Sequence, residues 1–419
     1  MRFAILTNFQ EFHSGYSLTG IVKDQVKMLS RQGHEVSVFV NEQYHGEEIE
    51  GARLQPLVPF AHLKDYHSKT DLTPEHADTV SRMKEMLLSE GPLYDMIWSH
   101  DLVFTGWNLP YALGIQEASP NPELKDVRWL HWIHSVPSSL NDWWEIRKYG
   151  PHHRLVFPNK TDALRVAENF RGELAHVEVI PHIKDIRSWM DFSQEAWDFI
   201  DEYPMALHSD YVQVFPASVD RLRAKGVDDV ILIFSKIKQR GNSVCLVIAN
   251  QWATGTQEKQ DVEHFLKIAR RNGLVPGEEV IFTSNWRSPQ YDTGLPKRLL
   301  RELMTLSNLF IFPTQEESFG LVVPEVSLSS GALMVLNKSL DMQMEISGWT
   351  TLYFDFGSYR RNHHVENEEN YFQGIADVIR YRMQRNEGLL HRTFCRKAYN
   401  MDRLYYDVYL PIIRGAVTW

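Results

Sequence analysis

Cysteine is almost missing: only Cys245 and Cys395 occur in 419 residues. Two thiols cannot build a disulfide framework or a Cys-rich metal site. Long apolar runs are missing too, since no stretch of about 18 such residues occurs. The opening run Phe3 to Leu6 meets polar Asn8, Gln10 and Glu11 too soon to be a signal peptide. No transmembrane segment and a reducing, cytoplasmic setting are expected. The Asn-x-Ser/Thr sequons at Asn159 and Asn337 are then chance, because glycosylation needs a secretory route. Positive charge is not in excess: 44 Lys and Arg against 54 Asp and Glu leave a formal charge of -10. That balance disfavours a surface built wholly to grip nucleic acid or anionic lipid. The GxGxxG, P-loop, HExxH, GxSxG and paired CxxC patterns are also absent, which sets aside the commonest dehydrogenase, NTPase, metalloprotease, hydrolase and zinc-module readings.

What is present is a chain of ordinary globular composition, 43% hydrophobic and 23% charged, long enough for two domains. Phe3 to Leu6, a polar stretch with Gly15 and Gly20, apolar residues at Leu18, Ile21, Val22, Val26 and Leu29, then Gly33 and Val36 to Val40 read as a βαβ unit. Further strands are expected at 96–98, 127–133, 155–157 and 177–180. The alternation restarts with a strand at 212–215, a helix at 227–238, a strand at 244–249, a helix at 259–272, a strand at 280–283, a helix at 297–306 and a strand at 309–312. The expected organisation is therefore an α/β first domain over 1–183, a linker over 184–210, an α/β second domain over 211–395, and a helical tail over 396–419 that crosses back to the first domain.

The most informative segment is Thr314-Gln-Glu-Glu-Ser-Phe-Gly-Leu-Val-Val-Pro-Glu325. It follows an apolar strand and leads into a helix, so Glu317 and Glu325, with seven residues between them, flank a strand-to-helix turn. Gly320 permits the tight turn. The N–H groups of Gly320, Leu321 and Val322 at the helix start form a natural seat for a diphosphate. Pro324 falls in the first turn, where its missing N–H costs little.

This segment resembles the Glu-x7-Glu signature of the retaining glycosyltransferases of family 4, matching over Glu-Ser-Phe-Gly-Leu-Val-Val-Pro-Glu. Gln32 to Val38, Val179-Ile-Pro-His182 and Arg223-Ala-Lys-Gly-Val227 resemble other parts of that family, so the likeness spans nearly the whole chain. It implies a GT-B fold, two Rossmann-like doubly wound domains facing a central cleft. It implies a hexosyl- or pentosyltransferase that uses a UDP- or GDP-sugar as donor, with the saccharide or lipid-linked acceptor held by the first domain. In such proteins the first Glu contacts the donor sugar, the second binds the ribose hydroxyls, and the Phe-Gly-Leu amides hold sugar and phosphate. Carried over, these are Glu317, Glu325, Phe319, Gly320 and Leu321, with Ser318 in the same donor-binding run. An arginine and a lysine grip the diphosphate; Lys225 fills one role and Arg221 the other, with Arg223 as the second candidate. Gly15 stands where relatives let backbone approach the diphosphate, and His134 where they carry a His facing the donor sugar.

His100 ends another strand of the first domain and is a weaker candidate of the same kind. His152-His153 and His363-His364 lack accompanying carboxylate or Cys ligands, so neither a catalytic metal nor a cofactor is expected. The run Trp143 to Arg154 interleaves aromatic and basic residues, which keeps DNA in view as an acceptor, as for phage-type enzymes acting on a hydroxymethylated base. A nucleotide-sugar-binding protein without transfer activity is the remaining alternative.

Overall fold

A computed structural model describes residues 1–13, 16–61, 71–103, 108–134, 145–317, 320–358, 368–386 and 396–415. Its contacts divide the chain into two compact units, Met1–Ile186 with Tyr399–Trp419, and Arg187–Ala398. Unit 1 is built on seven parallel strands: β1 (Arg2–Leu6), β2 (Glu35–Asn41), β3 (Arg53–Val58), β4 (Met96–His100), β5 (Arg128–Trp132), β6 (His153–Phe157) and β7 (Val177–Val179). They lie in the order β3-β2-β1-β4-β5-β6-β7. Helices α1 (Ser17–Arg31), α2 (Pro74–Glu90), α3 (Leu109–Ala118) and α4 (Ala163–Asn169) alternate with them. Helix α1 buries Leu18, Val22, Val26 and Leu29, one face of a 3.6-residue period. Gly33 ends it at φ 76°, a left-handed conformation that favours glycine, and the next N–H, of His34, bonds back to Leu29 C=O at 3.1 Å.

Successive residues of the central strands face opposite cores. Ala4, Phe39, Ile97 and Trp129 belong to one, and Phe3, Ile5, Trp98 and Trp132 to the other. Burial on both faces is why β4 and β5 carry so little polar alternation. The second core is completed by Met401, Leu404, Tyr405 and Tyr409. Apolar burial thus explains why the C-terminal segment belongs to unit 1.

Unit 2 opens with α5 (Ile186–Met190), α6 (Gln194–Glu202) and α7 (Met205–His208). The stretch expected as a linker with some helical insertion is thus mostly helical. Ala196, Trp197, Phe199 and Ile200 of α6 are buried, and Ser193 caps its N-terminus through Ala196 N–H at 3.3 Å. A packed, capped helix is part of the unit rather than a tether.

The sheet strands of unit 2 are β8 (Tyr211–Ser218), β9 (Val244–Gln251), β10 (Val280–Phe282), β11 (Leu309–Phe312), β12 (Leu333–Asn337) and β13 (Leu352–Phe354). They interleave with α8 (Val227–Gln239), α9 (Thr256–Arg271), α10 (Lys297–Met304), α11 (Val322–Ser329), α12 (Asp341–Ser347) and α13 (Glu368–Arg385). Two parallel ladders form, β10-β9-β8 and β11-β12-β13. Side chains join their facing edges. The buried Gln213 amide donates from Nε2 to Ile311 C=O and accepts Ile311 N–H at Oε1, both at 2.9 Å. Asn308 Oδ1 accepts Val212 N–H at 2.9 Å, and Ser307 Oγ accepts Val214 N–H at 3.0 Å. Across this seam the order runs β10-β9-β8-β11-β12-β13, a doubly wound arrangement whose direction reverses between β8 and β11. Unit 1 reverses in the same way between β1 and β4. The expected α/β class with parallel sheets is therefore observed in both units. Strands β3, β12 and β13 lie outside the sequence expectation.

Replacing Gln213 by Met keeps the volume but strands a buried N–H and a buried C=O of Ile311. At about 1–3 kcal/mol for each orphaned group, urea unfolding should register a loss of at least about 2 kcal/mol. A loss under about 0.5 kcal/mol would contradict the assigned role of the seam.

Candidate functional site

In open α/β sheets, ligands bind beyond the carboxyl ends of the strands where the winding reverses. In unit 2 that place lies beyond β8 and β11. After β8 the chain makes a 3-10 turn, Val219–Arg221, then a tight loop closed by Lys225 N–H to Arg221 C=O at 2.8 Å and Gly226 N–H to Arg223 C=O at 3.0 Å. Gly226, at φ 70°, leads into α8. A Cβ there would stand 2.6 Å from Pro313 Cγ, so only glycine lets this loop lie against the end of β11. Gln315 N–H closes the contact by donating to Ala224 C=O at 3.0 Å. From below, the buried Asn337 amide at the end of β12 donates to Thr314 C=O at 2.9 Å and to Gly357 C=O at 2.7 Å. Its burial also removes it as a glycan acceptor.

This docking brings together residues that are 92 positions apart: the Lys225 ammonium bonds the Glu317 carboxylate. Both side chains are only 17% exposed, and the ammonium sits 5.3 Å from the centroid of the Phe312 ring. Arg221 Nη2 donates to the neighbouring Glu316 at 3.1 Å, while its Nε is buried without a partner among the described residues. Arg223 is instead exposed, and its charge acts on Asp228. Of the two arginines, Arg221 is the one that reaches the segment beyond β11.

Gly320 takes φ 74°, and a Cβ on it would lie 3.3 Å from Glu317 Cγ, so the turn that starts α11 needs glycine for its backbone and keeps the carboxylate close. Helix α11 begins at Val322, with Leu321 as its 67% exposed cap residue. Glu325 N–H donates to Leu321 C=O at 3.1 Å, so the amides of Leu321 and Val322 precede the first such bond and have no partner within the helix. Glu325 itself, in the first turn, is held by the ammonium of Lys297 at the start of α10. Lys297 was not singled out from the sequence. Ser318 and Phe319 lie outside the described residues, as does Gly15.

Unit 1 has its own reversal point, at β1 and β4. There Asp101 takes φ 55° directly after β4, accepts His134 N–H at Oδ1 at 2.9 Å, and has its C=O bonded by Asn108 Nδ2 at 2.8 Å. Burial pushes its carboxyl up to about 6, against the pull of the His134 N–H. A left-handed non-glycine residue with a raised carboxyl at a strand's carboxyl end is a functional candidate in its own right. The sequence holds no local signal for it beyond its place after His100.

His134 Nε2 meets His100 Nδ1 at 2.8 Å, and its ring stacks on His182 with centroids 5.2 Å apart. Burial lowers all three, His134 to about 3, so His134 offers a neutral ring rather than a charge. Each ring also keeps one buried nitrogen without a partner among the described residues: His100 Nε2, His134 Nδ1 and His182 Nδ1. A second array crosses the sheet's interior: Ser99 Oγ is 2.7 Å from His131 Nδ1, and His131 Nε2 is 2.9 Å from His153 Nδ1. It closes with every ring neutral when the Ser99 hydroxyl and the His131 Nε2–H act as donors. His153 is thus a member of this buried array. His363 and His364 lie outside the described residues, among which no group of three His, Cys, Asp or Glu is placed to hold a metal.

The basic run that kept DNA in view is neutralised where it is described. Arg147 pairs with Glu173, Lys148 with Glu145 at 3.1 Å, and Arg154 with Glu178 at 2.9 Å. Ile146 and Tyr149 are core residues, and Trp143 lies outside the described residues. A phosphate would have to break an existing ion pair at each of these three cations. Among the described residues no helix is long and apolar enough to cross a membrane.

No protein-family model matches the chain, and no curated protein matches its sequence. Similar solved structures include a glycosyltransferase from Rickettsia africae, 12% identical over 100% of this chain and 98% of that one, with a TM-score of 0.36. HepE of Anabaena, solved with UDP and glucose, is 15% identical over 98% and 99%, with a TM-score of 0.34. An E. coli trehalose-6-phosphate protein bound to UDP-2-fluoro glucose is 12% identical over 99% of both chains, with a TM-score of 0.33. These likenesses are remote and leave the function to be argued from the residues of the site.

The histidines also set a pH dependence. His131 and His134 are neutral in the fold with values near 3, whereas an unfolded histidine titrates near 6.5, so below that pH the unfolded chain takes up protons that the fold refuses. Stability should fall by about 1.4 kcal/mol per pH unit for each such group as pH drops from 6.5 toward 3. The raised Asp101 offsets one group of the several. The urea midpoint of unit 1 should therefore be lower at pH 5 than at pH 7; an equal or higher midpoint would contradict the buried neutral arrays.

Proposed function

We propose that this chain is a retaining, metal-independent glycosyltransferase of the GT-B kind that moves a sugar from a UDP- or GDP-sugar to a hydroxyl of a saccharide or lipid-linked glycan. The observation that carries the reading is the Lys225–Glu317 pair at the reversal point of unit 2, beside the start of α11. A nucleotide-sugar transferase needs this combination in one place: a cation for the departing diphosphate and a carboxylate for the sugar hydroxyls.

In the proposed reaction Lys225, Arg221 and the Leu321 and Val322 amides take the diphosphate, Glu317 orients the sugar, and Glu325 accepts the ribose hydroxyls. The bond from the anomeric carbon to the diphosphate oxygen breaks through an oxocarbenium-like state. The acceptor oxygen bonds to that carbon on the same face, and its proton passes to the departing diphosphate oxygen. The products are a glycoside and a nucleoside diphosphate. The acceptor belongs to unit 1 in this reading, and the neutral His134 ring takes the role of the histidine that faces the donor sugar.

Two outcomes test the reading. Glu325→Gln keeps the shape but loses one acceptor and the charge, and each charge-assisted hydrogen bond is worth about 1.5–3 kcal/mol. UDP or GDP should therefore bind at least about tenfold more weakly by calorimetry, and an unchanged affinity would remove Glu325 from the ribose site. Because side-chain cations supply the charge, EDTA should leave the transfer rate intact. Loss of rate on chelation, restored by Mn or Mg, would defeat the metal-free mechanism.

A further inference from the structure

Lys297 is placed where helix stability gives little reason for it. It is the first residue of α10, follows Pro296, and presents a cation at the positive end of a helix that has no acidic residue in its first turn. Its side chain is 73% exposed, and exposed ion pairs contribute little to stability. Yet its ammonium is bound to Oε1 of Glu325, which sits in the first turn of the neighbouring helix α11. The other carboxylate oxygen, Oε2, has no partner among the described residues.

We infer that Lys297 is a positioning residue for the nucleotide: by fastening one oxygen of Glu325 it holds the carboxylate in a single orientation, with the second oxygen presented to a ribose hydroxyl. This rests on the reading that Glu325 takes the ribose. A glutamate has several rotatable bonds, and a ligand that must freeze them loses affinity. Lys297 freezes them beforehand. Its bond does not block the ribose, because each carboxylate oxygen accepts more than one hydrogen bond. Lys297 thus acts through Glu325, and its effect requires ribose hydroxyls on the ligand.

The test is calorimetric titration of UDP and GDP, and of their 2′,3′-dideoxy forms, into the full chain and its Lys297→Met, Lys297→Arg and Glu325→Gln variants. Lys297→Met should bind the preferred ribonucleotide about three- to tenfold more weakly, as expected for lost preorganisation. Lys297→Arg should restore the affinity. The dideoxynucleotide should bind the parent and Lys297→Met equally. An unchanged or tighter Lys297→Met, or an equal loss with the dideoxynucleotide, overturns the inference while a weakened Glu325→Gln leaves the ribose reading standing. A Glu325→Gln variant that binds both nucleotide forms as the parent does removes the ribose reading and the inference together.

Discussion

Where β8 meets β11 the backbone ladder gives way to side chains, and the Gln213 amide satisfies both the N–H and the C=O of Ile311. The candidate donor site depends on this bond pair. It sets the spacing between the two strands whose carboxyl ends carry the site. At the carboxyl ends of these two strands the loop ending in Gly226 lies against Pro313, and Lys225 reaches Glu317. A buried polar side chain inside a sheet is costly unless every bond is made, which is why Gln213 acts as a register pin.

Around that seam the charges occur as matched pairs: Lys225 with Glu317, Arg221 with Glu316, and Lys297 with Glu325. Only Lys225 and Glu317, each 17% exposed, would carry a marked desolvation penalty as isolated charges, and their pairing offsets it while no ligand is bound. A diphosphate would exchange one anion for another on Lys225 and Arg221, so the cations stay neutralised before and after binding. Unit 1 uses a different device: burial keeps His100, His131, His134 and His153 neutral, and Asp101, whose carboxyl burial raises, sits in a left-handed turn.

Much of this was legible in the sequence, where the signal is local. The strand at Leu309–Phe312 is a pure apolar run followed by turn residues, and α8 shows a clean periodic face. The edge strand β3 was not legible, because it is half exposed and carries Pro56, which an edge tolerates. Strand β13 has only three residues. Some helix was expected between Lys184 and Asp210, but a Trp- and Asp-rich composition without clear alternation hid the extent of α5 to α7. The site divides in the same way. Glu317, Glu325 and Gly320 sit in one contiguous run and could be named together. Lys297 and Asp101 could not, because their importance comes from contacts between distant positions: Lys297 with Glu325, and Asp101 with His134.

The central claim is that the Lys225 and Glu317 side chains handle a nucleotide sugar. The most direct measurement is release of nucleoside diphosphate from a panel of UDP- and GDP-sugars, by the parent protein and by Lys225→Ala. The parent should release nucleoside diphosphate slowly from at least one donor, and the variant should lose about a hundredfold or more of that rate, as for removal of a charged group that stabilises a leaving group. No release from any donor, or equal release by the two proteins, would contradict the claim.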